Sequence, residues 1–333
     1  MNQPAVDTAL AATLPEAPQP KRRKPSGSLE CQIGMLIGLA GLAGSRLGQL
    51  WIAFDVFSQF TLQFAVIALA FTIGLFMPRA KLLAAFILII LGVIGIGVWP
   101  YLASKAGMAL ASPASNQREL KVASFNTFYE NDDVNAVKAE ILRLDADIIT
   151  LVEMGSNKRS ILGEVKDRYP YQAHCYQIDY CNLVILSKFP IISSDAKSLW
   201  EGPPYIRASL GPEAGSITVF GVHTIRFPHS RAQFRQVNKL SQLIESTPGH
   251  KVVMGDFNAT PFSRILQVVQ ARANLRRLTS LPSWPSHVGL PQISIDHIFV
   301  SPGIAATETE RIGRSAGSDH FPVSMKIAVP IRP

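Results

Sequence analysis

Cysteine is scarce: Cys31, Cys175 and Cys181 are the only three in 333 residues. No zinc site can be assembled from thiolates, and a disulfide-dense mini-protein is excluded. Charge is also sparse, at 17%, against 47% hydrophobic residues. That balance excludes disorder throughout and is too apolar for a wholly soluble chain. It is also too charged for a transporter filling the whole length. There is no G-x-x-x-x-G-K-[ST] loop and no Ser/His/Asp order with a nucleophile elbow, so neither nucleoside triphosphate use nor acyl transfer is indicated. Between Leu82 and Tyr101 there is no ionisable group. A two-part protein is expected.

Residues 1–30 read as a disordered tail ending in the basic run Lys21, Arg22, Arg23 and Lys24. Three apolar runs follow within 31–101. The first, from Cys31, crosses a membrane only if its helix continues past Arg46 with the guanidinium reaching the interface; a buried core helix is its other reading. The second is Phe60 to Met77, and the third is Leu82 to Tyr101, with Trp99 and Tyr101 at interface-belt positions. Basic residues precede the first run, and Arg79 and Lys81 separate the second from the third. The positive-inside rule therefore predicts three transmembrane helices, with everything after Tyr101 outside the cytoplasm. The expected location is the inner membrane, multi-pass, with the large domain on the extracytoplasmic, periplasmic side. Residues 102–117 read as a small-residue linker, although Ala109-Leu110-Ala111 also resembles a signal-peptidase site.

Residues 118–333 form one α/β domain in this reading. The predicted strands are 120–127, 147–153, 182–189, 216–224, 251–257, 295–301 and 321–328. Predicted helices cover 133–144 and 230–245, and a third follows Pro261. The tail and membrane loops hold eight basic against four acidic residues, so half of the net +8 is topological. The rest is a mild bias towards anionic substrates.

Polar residues recur where these strands end or begin: Asn126, Glu153, His223, Asp256, Asn258, Asp296, Asp319 and His320. A strand delivers its terminal side chains to a shared rim with little freedom. Hard oxygen donors without a thiolate suit Mg²⁺, or Mn²⁺ or Ca²⁺, better than zinc. A cation neutralises phosphoryl oxygens, and a carboxylate-oriented histidine handles a proton near neutral pH. Hydrolysis of a phosphate ester is the chemistry this set suits. Each residue also has a plainer reading: Asp256 and Asn258 as turn formers, His223 as a core histidine. His297, beside Asp296, points to the opposite face by alternation and is expected to be structural.

These motifs, in this order over 119–328, resemble the endonuclease/exonuclease/phosphatase superfamily. The resemblance implies a four-layer α/β sandwich of two mixed sheets flanked by helices, here preceded by the N-terminal transmembrane segment. It implies that Glu153, with Asn126 and Asp319, forms the metal site. Asp256 would position or deprotonate the attacking water, Asn258 would hold a phosphate oxygen, and His320 would contact the scissile phosphate. Asp296 would orient His320, and His223 is a candidate for protonating the leaving group. Phe128 stands where base-excision members carry an acidic group, which argues against an abasic-site nuclease. Arg226, His229, Arg231 and Arg235 form either an anion-binding cluster or a solvated helix face. Cys175 and Cys181 can form a disulfide outside the cytoplasm.

The expected function is a membrane-anchored, metal-dependent phosphodiesterase or phosphatase acting on nucleic acid or phospholipid head groups, with no obligate protein partner. The alternative is a catalytically inactive, membrane-tethered binding domain of the same fold.

Overall fold

The structure is a computed structural model that describes residues 27–75, 81, 83–92, 110–179, 181–197, 204–288 and 293–331. Helix α1 spans Gly27–Leu47. A 3₁₀ turn at Ile52–Phe54 leads into the short α2, Asp55–Ser58, and then α3, Thr61–Gly74. Helix α4 is Leu83–Gly92. Small residues let α1 and α3 approach closely: a Cβ on Gly38 would lie 2.6 Å from the backbone nitrogen of Ala68. The outer faces of the pair expose Leu29, Ile33, Leu36, Ile37, Leu62, Val66, Leu69 and Ile73.

Among the described residues no single helix is long and apolar enough to cross a membrane; Ile52–Ser58 and Thr61–Gly74 pass that test only together, bent by 59°. Helix α1 is 21 residues long, but Glu30, Gln32, Arg46 and its glycines dilute its apolar content. It also begins inside the stretch expected to be tail. The rest of that tail, the first half of the linker and the second half of the third apolar run lie outside the described residues.

The remainder is a four-layer sandwich, as expected. Its strands are β1 (Gln117–Asn126), β2 (Ile148–Val152), β3 (Tyr171–His174), β4 (Val184–Ser187), β5 (Ile191–Lys197) and β6 (Tyr205–Leu210), then β7 (Thr218–His223). The others are β8 (Lys251–Asp256), the short β9 (Arg276–Arg277), β10 (Asp296–Val300), β11 (Ala305–Ala306), β12 (Arg311–Ile312) and β13 (Val323–Pro330). One sheet runs β11-β13-β1-β2-β4-β3, with β12 also paired to β13; the other runs β5-β6-β7-β8-β10-β9. Each is mixed: β1–β2 and β7–β8 are parallel, and their neighbours are antiparallel. A helix of ten or more residues makes each parallel crossover, as such connections require. These are α5, Val134–Leu144, capped by Asp133 accepting from Ala136 N at 2.9 Å, and α7, Ser230–Ser246.

Three apolar cores hold the layers together. Val122, Ile148, Ile185, Val219, Val252, Met254 and Ile327 pack between the sheets. Phe125, Val137, Ile141 and Tyr169 pack under α5 and α6 (Ile161–Glu164). Phe220, Leu240, Phe257 and Phe299 pack under α7 and α8 (Arg264–Arg272). Strands β3, β5 and β6 were absent from the sequence expectation. In β5 the pattern is almost wholly exposed, an edge strand with no buried face to set a period of two. Gln117, assigned to the linker on sequence grounds, opens β1 opposite Pro330.

Candidate active site

Both parallel pairs end at one edge of the sandwich. Asn126 closes β1 beside Val152, so Glu153 follows β2 directly into the cleft. His223 closes β7 in register with Asp256 at the end of β8. Two antiparallel strands begin there: Asp296 opens β10 across from Asp256, and His320 precedes β13, the partner of β1. The eight residues singled out in the sequence therefore share one cleft edge. Backbone strain marks it, since Glu153 (φ 54°) and Asn258 (φ 46°) are left-handed without being glycine. Gly255 meets a steric demand, because a Cβ there would strike the Val222 carbonyl.

Asn126 Nδ2 donates to both Glu153 Oε1 (3.2 Å) and Asp256 Oδ2 (3.1 Å), joining the two sheets. Its oxygen accepts from Phe128 N at 3.0 Å. His223 Nε2 stands 3.5 Å from Glu153 Oε1 and 3.9 Å from Asp256 Oδ2. His320 Nδ1 donates to Asp296 Oδ2 at 2.7 Å, which turns Nε2 into the cleft, 3.8 Å from both Asp256 Oδ2 and Asp319 Oδ1. Asn258 donates from N and Nδ2 to Asp256 (2.8 and 3.3 Å) and from Nδ2 to Thr224 O (3.0 Å).

The electrostatics divide the acids. Burial alone would raise the Glu153 carboxyl, but His223, the Tyr129 N–H and Asn126 outweigh it and hold Glu153 below its ordinary 4.5. Burial and the neighbouring Asp296 push Asp256 up to about 6, against the pull of His320 and His223. Burial opposes a charge on His320, yet Asp296, Asp256 and Asp319 raise it to about 10. His297, fully buried on the opposite face, is pushed down to about 3 by burial and by Arg277. It hydrogen-bonds Ala259 O at 2.9 Å, as a structural histidine should.

The donor set fits a hard divalent cation. Ligand atoms of Glu153, His223 and Asp256 lie within 4.8 Å of one another, as do those of Asp256, Asp296 and His320. Asp319 Oδ1 and Asp296 Oδ1 are buried without a hydrogen-bond partner. Among the described residues no lysine or arginine is paired with these carboxylates. A carboxylate cluster flanked by imidazoles and without lysine or arginine partners suits Mg²⁺, Mn²⁺ or Ca²⁺.

Sequence reasoning missed the supports. Lys158 is fully buried, and its Nζ donates to the carbonyls of Phe128, Tyr129 and Asn131 (2.8, 3.1 and 3.1 Å). It thereby fixes the loop whose Tyr129 N–H reaches Glu153 Oε2 at 2.9 Å. Trp284 Nε1 donates to Asp319 Oδ2 at 3.0 Å, and Gln233 Nε2 donates to the carbonyls of Phe257 and Asn258 (2.8 and 3.1 Å). An isolated lysine, tryptophan or glutamine carries no signal of such a role. Cys175 and Cys181 form a disulfide, and Cys181 lines the cleft.

A four-layer α/β sandwich with a carboxylate, amide and imidazole cleft at the convergent strand ends defines a phosphoesterase-type hydrolase fold. The model of the Endonuclease/Exonuclease/phosphatase family matches residues 123–320, and the chain belongs to that family. Its members are divalent-metal-dependent hydrolases of phosphate esters. The fold is similar to an endonuclease/exonuclease/phosphatase family protein from Bacteroides thetaiotaomicron (15% identity, 64% of this chain and 98% of that one, TM-score 0.51). It is also similar to humanized D. rerio TDP2 (14%, 63% and 98%, TM-score 0.53) and to sphingomyelinase C from Streptomyces griseocarneus (17%, 64% and 99%, TM-score 0.49). No curated protein sequence matches the chain.

Proposed function

We propose that this protein is a membrane-anchored phosphodiesterase or phosphatase whose catalytic domain faces the extracytoplasmic side. The observation that carries the catalytic reading is the Asn126 bridge, which brings Glu153 and Asp256 from different sheets into one cluster with His223 and His320. Glu153 and Asp319, with Asn126 beside them, would hold the cation; its chemistry is to offset negative charge on the phosphoryl oxygens and the departing oxygen. Asp256 accepts a proton from the attacking water, for which a carboxyl raised towards neutrality is suited. His320, kept protonated by Asp296, sits against the phosphate as a fixed positive donor. His223, whose Nε2 stands 3.9 Å from Asp256 Oδ2, would protonate the leaving oxygen, and Asn258 would hold a phosphate oxygen.

Membrane anchoring is supported by the outward faces of α1 and α3, which expose Leu29, Ile33, Leu36, Ile37, Leu62, Val66, Leu69 and Ile73. The Cys175–Cys181 disulfide supports an oxidising, extracytoplasmic compartment. The test uses the full chain in lipid nanodiscs. Hydrolysis of bis(p-nitrophenyl) phosphate should require Mg²⁺ or Mn²⁺, stop with chelator, and vanish in Glu153→Ala. Cation binding without turnover would instead favour an inactive binding domain of the same fold.

A further inference from the structure

The segment between α1 and α3 is built into the catalytic domain. Asp55, 1% exposed, accepts from Ser263 Oγ and from Arg264 N (2.8 Å), which caps α8 from outside the domain. Gln59 Oε1 accepts from Thr260 N at 2.7 Å, and the Ser58 carbonyl accepts from Thr260 Oγ1 at 3.1 Å. Gln49 Nε2 donates to Gln267 Oε1 at 2.8 Å, and Ile52 packs into the core beneath α7 and α8. These contacts seize the stretch that starts two residues after Asn258. The Phe60 ring meets Phe227 edge-on at 5.7 Å, and Phe227 lines the cleft beside His223. Phe60 is the residue before α3. The rim of the cleft therefore abuts the first turn of an apolar helix.

In the same segment Leu50 is 81% exposed and Trp51 52%, an apolar and aromatic pair of the kind that sits in a membrane interface. Arg231 lies over Trp51, 5.4 Å from the ring centre, a position for contact with anionic head groups. The cleft, about 740 Å³, is lined by Phe128, Tyr129, Ile225, Phe227, Pro228 and Trp284, while Lys197 and Arg226 are its only lining lysine and arginine among the described residues. A nucleic-acid channel needs several phosphate-neutralising cations in a row. This cleft has an apolar wall instead.

Building on the phosphoesterase reading, we propose that residues 49–60 fasten the catalytic domain with its cleft against the membrane surface, and that the phosphate ester it hydrolyses is carried by a membrane-embedded amphiphile. An odd number of crossings between residue 60 and the catalytic domain would put the two on opposite sides. The docking therefore requires an even number, as three spans in all provide.

The test compares the full chain in vesicles with two undocking variants, Asp55→Ala/Gln59→Ala and the milder Gln59→Ala. Substrates are a fluorescent-headgroup phospholipid in the vesicle, its dihexanoyl analogue in solution, bis(p-nitrophenyl) phosphate, and DNA and RNA oligonucleotides. The wild type should turn over the vesicle-borne lipid at least tenfold faster than the dihexanoyl analogue and should not cleave the oligonucleotides. The double variant should lose at least tenfold on vesicle-borne lipid and stay within about twofold on bis(p-nitrophenyl) phosphate, with Gln59→Ala between. Preference for an oligonucleotide, or equal loss on vesicle and soluble substrates, overturns the proposal while leaving the phosphoesterase reading intact. No turnover of bis(p-nitrophenyl) phosphate or of the monoester p-nitrophenyl phosphate by the wild type overturns both.

Discussion

Glu153 and Asp256 both stand at the ends of parallel strands, are bridged by the same Asn126 amide and face the same His223, yet they differ in character. Glu153 belongs to the β1–β2 sheet and is partly open; a backbone N–H, an amide and a histidine favour its charged form. Asp256 belongs to the β7–β8 sheet, is sealed at 1% exposure, and faces Asp296 directly across the ladder. One sheet thus supplies a carboxylate that stays ionised, and the other a carboxyl poised near neutrality. That difference suits the proposed division, with Glu153 as ligand and Asp256 in the acid–base role.

The largest effects should come from erasing either side of this pair. Glu153→Ala and Asp256→Asn should each lower turnover by about 10³-fold or more, since positioned acid–base groups contribute about 10²–10⁴-fold. Calorimetric titration should separate them, with cation affinity falling further in Glu153→Ala. Equal affinity losses would break the proposed division. Next in size is Asp296→Asn, expected to cost about 10–100-fold, as losing an orienting partner usually does. Its pH profile should shift as well, because His320 loses the carboxylate that holds it protonated.

The acid limb of activity should fall at or below about pH 6, where Asp256 becomes protonated, and lower once a cation is bound beside it. The stability of the cation-free protein should show the opposite side of the comparison. His320 is raised to about 10 and Asp256 to about 6, so the native state holds more protons than the unfolded chain. Their stabilisation is complete below the unfolded values of 6.5 and 3.8 and is lost as pH rises through 10 and 6 respectively. Glu153, with its lowered value, gains stability as pH rises through its own range. Thermal melts in chelator should therefore show Tm declining from pH 7 to 10, and His320→Gln should flatten that decline. The smallest effect should be reduction of Cys175–Cys181, worth about 2 kcal/mol for so short a loop and read from denaturant melts.

Much of this was legible before any coordinates. Apolar, β-branched runs that end in Asn126, Glu153, His223 and Asp256, or begin just after Asp319-His320, announce themselves because a strand must hide its middle and present its ends. Strands β3, β5 and β6 were not legible, since the nearly all-exposed β5 has no buried face to impose alternation. Lys158, Gln233 and Trp284 gave no warning either. Their roles are to satisfy backbone carbonyls and a carboxylate that come near them only after folding.

Residue order and hydropathy by themselves determined the α/β class and the residue types of the cleft, because local pattern governs which segments need burial. Tertiary structure alone decided that Asp55 and Gln59 would reach across some two hundred residues to hold the segment following Asn258. It alone also set the two carboxyls to different proton affinities. Both depend on distances between sheets and on exclusion of water, and neither quantity exists until the layers have packed.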